Sequence, residues 1–303
     1  MSKQTCQICP RECHINRSEN LGYCGRPNKI YISKVMLHKF EEPCISGPCS
    51  PDKNMRGSGA IFFSGCNLKC IYCQNYNISQ QEHGKTVSVK KLADLFKKLE
   101  AAGAYNINLV TPTHYTAQII RALKLYKPQI PVVWNSSGYE KASTIKKLKG
   151  LVDIFLIDFK YMDNNLSLEL SNAPEYAKYA KETILEAKKI APNNIFSPDG
   201  IMQKGIIIRH LCLPNCTNDS KRIIDWIKEN LGTDTIISLM SQYVPCFKAK
   251  NNKKINRPLR PVEYKILVNY LIENNFNDAY TQELSSGNTC YTPDFDDNSW
   301  LNI

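Results

Sequence analysis

No stretch of this 303-residue chain stays apolar for the roughly 20 residues that a membrane-crossing helix needs, so no membrane partner is expected. The opening residues, MSKQTCQICP, lack the apolar core of a secretory leader, and a cytoplasmic protein is expected. Acidic residues are in short supply: 28 Asp and Glu stand against 39 Lys and Arg, a net charge of +11. A basic surplus attracts phosphate. The chain lacks, however, a basic stripe interleaved with aromatics on which bases could stack, which argues against a nucleic-acid partner. Its lysines fall in scattered pairs, such as Lys90-Lys91, Lys97-Lys98, Lys146-Lys147 and Lys188-Lys189, the pattern of solvated helix faces. The one basic run, Lys248 to Lys254 with Arg257 and Arg260, is suited to flank a surface for an acidic partner. Cysteine, by contrast, is abundant. Thirteen thiols in a reducing compartment point to metal rather than disulfides, and an odd count leaves at least one unpaired.

Three of those cysteines organise the chain. In GAIFFSGCNLKCIYCQNYN (59–77) a short apolar run breaks at Ser64-Gly65, and Cys66, Cys70 and Cys73 follow at C-x3-C-x2-C spacing. Thiolates are soft ligands suited to iron–sulfur clusters, and one tight loop can reach several irons. Three ligands are one short of a full set, which leaves one iron of a [4Fe–4S] cluster open to a non-protein group. Half of a zinc site is the alternative, although zinc prefers four closed ligands in paired spacings.

A second group, Cys6, Cys9, Cys13 and Cys24, packs four thiols into nineteen residues around Pro10 and Gly22. It reads as a loop-rich knuckle that needs an ion to fold, with zinc first, a second iron–sulfur cluster next, and His14 able to replace one thiol. Free cysteines in a flexible arm are the plain alternative. Residues 31–58 then form a connector with a turn-rich segment from Ser46 to Asp52. Cys44 and Cys49 within it, and Cys212, Cys216, Cys246 and Cys290 further on, receive no role.

Beyond residue 59 the pattern alternates. Apolar β-rich runs occur at 60–63, 106–111, 131–136, 152–158, 206–212 and 235–240. Amphipathic helices are expected between them over 88–102, 116–126, 177–191 and 220–230, the last capped by Asn218-Asp219, and a final one over 262–274 follows Pro261. Strand and helix repeated in this way give parallel strands with right-handed crossovers. The expected architecture is α/β, an incomplete (β/α)6 TIM-type barrel over 59–303, with residues 1–58 as a cysteine-rich arm and connector. Reactive groups of such barrels sit at the C-terminal strand ends. Those ends carry the cysteine loop, Thr111-Pro112-Thr113-His114, Asn135-Ser136-Ser137-Gly138, Asp158-Phe159-Lys160, Arg209-His210 and Ser241-Gln242-Tyr243.

With these residues in view, the chain resembles the radical S-adenosylmethionine (SAM) enzymes, and over most of its length the PflX-type subfamily related to pyruvate formate-lyase activating enzyme. The segments that carry the resemblance are Gly57-Ser58-Gly59, IFFSGCNLKCIYCQN (61–75), NINLVTPTHY (106–115), WNSSGY (134–139), IDFKY (157–161), SNAPEY (171–176), KGIIIRHLCLPN (204–215), SLMSQY (238–243), QEL (282–284) and PDFD (293–296). The resemblance implies that Cys66, Cys70 and Cys73 bind three irons of a [4Fe–4S] cluster while SAM chelates the fourth. It puts Tyr72 beside the adenine, Asn135 and Ser136 where activases carry an Asp-Thr pair, and Asp158 and Lys160 at their Asp-x-Lys pair, whose lysine meets the SAM carboxylate. The Gly-Gly-Glu that grips the SAM amino group in activases is absent, which leaves Thr111 and Thr113 as candidates there. The activase histidine after the sixth strand is missing too, with Tyr243 nearest in place and His210 on the fifth strand. Read without the family, Asp158 and Lys160 are a surface pair at a strand end.

The resemblance also implies an anaerobic oxidoreductase in which reductive cleavage of SAM yields a 5′-deoxyadenosyl radical that abstracts hydrogen from a substrate. That substrate could be a glycine of a partner protein, and the electron would come from a reductase or a flavodoxin- or ferredoxin-type carrier. Two other readings stay open on the residues alone: an electron-transfer protein whose cluster never cleaves SAM, and a metal-dependent nucleic-acid-binding protein.

Overall fold

The computed structural model describes residues 5–48, 56–284, 293–297 and 299–302; Cys49, Cys290 and the turn-rich stretch beyond Pro48 lie outside them. The chain opens with a loop-rich arm and then β1 (Ile30–His38) and the short α1 (Pro43–Ser46). β2 (Ser58–Phe63), α2 (Tyr76–Gln80), β3 (Lys85–Val87) and α3 (Val89–Ala101) follow, then β4 (Ile107–Val110), α4 (Thr116–Leu125), β5 (Val132–Ser136) and α5 (Ala142–Ile145). Next come β6 (Ile154–Asp158), α6 (Asn164–Ser171), α7 (Tyr176–Ile190), β7 (Ile195–Phe196) and β8 (Met202–Leu211). The last elements are α8 (Thr217–Leu231), β9 (Ile236–Met240), α9 (Pro261–Glu273) and β10 (Ala279–Thr281).

The strands form one sheet in the order β10-β9-β8-β6-β5-β4-β2-β1-β3, with β7 hairpinned on β8. From β2 to β10 every neighbour is parallel. The six expected parallel strands are thus all present, and β10 adds a seventh. The sheet is partial and open, because the path ends at β10 on one side and turns antiparallel at β1 on the other. The connector therefore contributes a strand of its own. Its end at His38 pairs with Ser58 at the start of β2.

Helix placement follows the apolar spacing. Leu92, Leu95, Phe96 and Leu99 of α3 are buried, and the Ser88 hydroxyl caps its first turn by accepting from the Lys91 amide. α8 begins earlier than its sequence suggested: Cys216 is the residue before the helix, and Asp219 lies within the first turn. There the carboxylate accepts the Met162 amide at 2.9 Å and meets the positive end of the helix dipole.

Two segments close the concave face of the sheet. Cys44 and Ile45 of α1 pack against Val133, Ile154, Leu156, Ile207 and Ile236, plugging the end where the parallel strands begin. At the open edge Phe295 packs on Phe62 with ring centroids 5.5 Å apart, and Lys34 holds Asp297 at 2.5 Å. Among the described residues no helix is long and apolar enough to cross a membrane.

Candidate functional site

β2 is buried along its whole length, and the chain leaves it through Ser64 and Gly65. Gly65 has φ +84, and a Cβ there would stand 2.6 Å from the Cys24 carbonyl oxygen, so only glycine fits. His114 donates from Nε2 to the Ser64 carbonyl at 2.8 Å, and Arg17 donates to the His114 carbonyl at 2.7 Å. Burial pushes the His114 imidazole down to about 3, so it stays neutral as it braces this turn. The loop then presents three thiols, each with a polar neighbour. Cys66 Sγ accepts the Leu68 amide at 3.4 Å, Cys70 Sγ accepts the Ser171 hydroxyl at 2.9 Å, and Cys73 Sγ lies 3.3 Å from the Ser79 hydroxyl. Burial raises Cys66 to about 11 and Cys73 to about 12, and it raises Cys70 as well. Metal loading must displace those protons.

The three thiols face one cavity of about 370 Å³, within the range of small-molecule sites. Thr111, Asn135, Ser136, Asp158 and Lys160 line it from the C-terminal ends of β4, β5 and β6. Lys160 Nζ holds Asp158 Oδ2 at 2.6 Å. Burial alone would lower the lysine, but Asp158, Cys70 and Tyr176 outweigh it and keep it charged. Thr111 sits at φ +59, a left-handed conformation that costs a β-branched residue and marks a constrained position. Ser136 Oγ donates to the buried Glu140 carboxylate at 2.5 Å.

Gly138 makes this rim sensitive to volume. Its φ is +74, and a Cβ would lie 2.3 Å from the Asp158 carbonyl oxygen. Gly138→Ala is expected to cost about 2–4 kcal/mol in thermal or urea unfolding, strain and collision together. Gly150→Ala, at φ +77 with open space around it, isolates the strain alone and should cost about 1 kcal/mol. Equal losses in the two variants would refute the collision.

Four sequence candidates lie outside the cavity wall. The Tyr72 hydroxyl is 2.5 Å from that of Tyr161, which in turn bonds Ser171, so its ring is committed to the layer behind Cys70. Thr113 turns inward and donates to Glu140 at 2.9 Å. His210 is buried with both nitrogens bonded, to the Phe159 carbonyl at 2.7 Å and the Ser220 hydroxyl at 2.8 Å. The Tyr243 hydroxyl bonds the Ile255 carbonyl. Conversely, Glu41 and Glu42 line the cavity beside Arg209 and were not anticipated. Glu140, which gathers Thr113, Trp134 and Ser136, was missed as well. The only sequence hint was a pair of acids in an otherwise roleless connector.

The N-terminal thiols gather next to the same loop. Cys9 is raised to about 12 by burial and then by Cys24 and Cys6, while Cys24 feels Cys6 and Cys13. The Cys66 amide donates to the Cys24 carbonyl at 3.3 Å, and Arg11 Nε donates to the Asn67 carbonyl at 2.8 Å. His14 points outward instead, 60% exposed. Among the described residues no three His, Cys, Asp or Glu side chains are already drawn together as ligands of one ion.

A family model described as the Radical SAM superfamily matches residues 60–227. The chain belongs to the radical SAM superfamily. Membership implies an enzyme that uses a [4Fe–4S] cluster and SAM. The radical SAM chain is 34% identical to an uncharacterized protein of Methanocaldococcus jannaschii, MJ0674, over 269 residues, 84% of this chain and 71% of that one. A second protein of that organism, MJ0808, is 25% identical over 270 residues, 82% of this chain and 72% of its own. Among solved structures, SuiB of Streptococcus suis bound to SAM superposes with a TM-score of 0.49 at 16% identity over 72% of this chain. The chain spans about half the length of SuiB, 48%. Methylornithine synthase (PylB) gives a TM-score of 0.46 at 12% identity, over 71% of this chain and 68% of its own. The residues present fit the implied cofactors: three soft thiols share a cavity wall with hydroxyl, amide and ammonium donors able to hold an amino acid head group.

Proposed function

We propose that Cys66, Cys70 and Cys73 ligate three irons of the [4Fe–4S] cluster and that the rim from Thr111 to Lys160 seats SAM. One observation carries this reading: the thiols and the Asp158–Lys160 pair face a single cavity at the C-terminal ends of parallel strands. When bound together, cluster and SAM supply one-electron cleavage of SAM and hydrogen-atom abstraction. The chain's own part is to position and exclude. Lys160 offers a charge-assisted hydrogen bond to a carboxylate, Asn135 offers its amide, Ser136, whose proton goes to Glu140, offers an acceptor oxygen, and the constrained Thr111 takes the place of the activase glutamate without its charge. The α1 plug and the Phe295 segment keep water from the concave face.

The resemblance to PflX-type proteins supports a glycyl-radical-activase-like role, with a glycine of a partner protein as substrate. A reductase or a flavodoxin- or ferredoxin-type carrier supplies the electron in this reading. An acidic carrier suits the exposed Lys248 and Lys250, on a segment whose Ala249 amide bonds the Ile71 carbonyl of the cluster loop at 2.9 Å. Cys6, Cys9, Cys13 and Cys24 are proposed to hold zinc or a second iron–sulfur cluster, in an arm (residues 1–58) that buttresses the main site.

The test is anaerobic reconstitution, counting of iron, sulfide and zinc per chain, and incubation with dithionite and SAM. Release of 5′-deoxyadenosine is the expected result. An intact cluster that releases none, even with SAM bound, would reduce the chain to an electron-transfer protein.

A further inference from the structure

Arg209, Glu41 and Glu42 form a buried charge cluster on the inner wall of the cavity, and neither the cluster nor the rim roles of Asp158 and Lys160 account for it. Arg209 Nε donates to Glu42 Oε1 at 2.7 Å and one Nη to Glu42 Oε2 at 2.5 Å, while the same Nη also contacts Glu41 Oε2. The three side chains are 12%, 9% and 5% exposed for Arg209, Glu41 and Glu42 respectively. Glu41 Oε1 accepts two amides besides, from Asn108 at 3.0 Å and Asn135 at 3.3 Å. One guanidinium thus serves two carboxylates, and Lys160, a cation on the same wall, is taken by Asp158. Among the described residues the cavity wall therefore carries three carboxylates, Glu41, Glu42 and Asp158, against two cations, Arg209 and Lys160. Burial lowers His38, the one histidine on that wall among the described residues, so it does not make up the difference. A surplus charge away from water is costly unless something meets it.

Two unpartnered polar atoms stand beside that surplus. His38 Nδ1 and Asn108 Oδ1 are buried with no hydrogen-bond partner, in residues 7% and 0% exposed. His38 lines the cavity, and Asn108 has already committed its amide nitrogen to Glu41. Asn108 Oδ1 can only accept, and a neutral imidazole accepts through one nitrogen. In the tautomer that leaves Nδ1 bare, His38 presents an acceptor to the cavity, and an acceptor next to excess negative charge suits a donor that brings positive charge. SAM does not meet that need. A [4Fe–4S] core in its oxidised state with three thiolates has a net negative charge, which the net positive charge of SAM offsets. Glu41 reaches below the rim, bonding Asn108, three residues before the strand-end Thr111, as well as Asn135 on the rim itself.

We propose that the chamber beneath the rim binds a cationic nitrogen of the substrate, an amine or a guanidine, with Glu41 and Glu42 supplying the counter-charge and the unpartnered ring nitrogen of His38 standing on the same wall. The proposal rests on the radical SAM reading of the rim and names the class of substrate that reading leaves open. It fits a small basic molecule or a basic side chain of a peptide equally well.

The test uses the reconstituted holoprotein saturated with SAM, titrated calorimetrically with n-butylguanidine, n-butylamine and the uncharged, same-shaped n-butylurea. The guanidine or the amine is expected to bind saturably and at least about tenfold more tightly than the urea. Glu42→Gln, whose side chain bonds Arg209 and not Asn135, should erase that preference while leaving SAM affinity within about twofold of wild type. Glu41→Gln removes the same charge from the other side of Arg209 and serves, on the guanidine-to-urea preference alone, if Glu42→Gln does not retain its cluster. Equal binding of urea and guanidine, absence of saturable binding by either cation, or competition between the cations and SAM would overturn the proposal. Failure of the wild-type protein to bind SAM at all would strike the proposed function instead.

Discussion

Cys70→Ala is expected to abolish the visible absorption of the proposed barrel cluster and to take 5′-deoxyadenosine release below detection, while any metal at the N-terminal group remains. Cys70 is the middle cysteine of the loop and the most buried of the three, and it bonds Ser171, the end of a hydroxyl chain that runs through Tyr161 to Tyr72. Its removal leaves two thiols that cannot retain a cubane core, and no spare cysteine among the described residues lines the cavity to replace it. The fold itself should survive. The lost contacts are one hydrogen bond to sulfur and a small side-chain volume, worth about 1–2 kcal/mol. Cys212→Ala is the control: Cys212 is fully buried, so a similar stability loss should leave iron, sulfide and activity intact. Retained SAM cleavage in Cys70→Ala would show that other cysteines hold the cluster, and joint loss of barrel and N-terminal metal would show that the two sites fold as one.

Why some of this site was legible and some was not follows from the range of the interactions. The cysteine loop was readable because its chemistry is local, three ligands within eight residues on one turn. The strand-end residues Thr111, Asn135, Ser136, Asp158 and Lys160 were readable because a parallel α/β pattern says where polar strand ends converge. The pattern does not say which way each side chain points. Arg209 and His210 are adjacent on β8, and the alternation of a strand sends one into the cavity and the other to Ser220 in the helix layer. Thr113 is in a turn that aims it at Glu140 instead of the cavity. Glu41 was invisible for a different reason: it meets Asn135 and Arg209 across 94 and 168 residues, and no periodicity encodes such a contact. β1 was hidden by the turn-rich composition around it, although its paired register with β2 covers the outer side of the strand that leads into the cysteine loop.

Lys160→Met tests the rim most sharply, because the two partners of the ion pair predict opposite results. With the ammonium removed, a SAM carboxylate would lose its charge-assisted contact and face an unneutralised Asp158. SAM affinity should fall by about 30- to 100-fold, roughly 2–3 kcal/mol, with cluster iron unchanged. Asp158→Asn removes the competitor instead and frees the lysine for the ligand, so SAM affinity should be held or raised. A pair that merely tied β6 to the neighbouring loop would behave differently. Either substitution would then leave one buried charge alone and cost about 3–5 kcal/mol of stability, with equal effects on SAM. Calorimetric SAM titration of the two reconstituted variants, next to their unfolding midpoints, separates these cases. Equal weakening of SAM binding in both variants would remove Lys160 from the proposed cofactor site and leave it a structural tie.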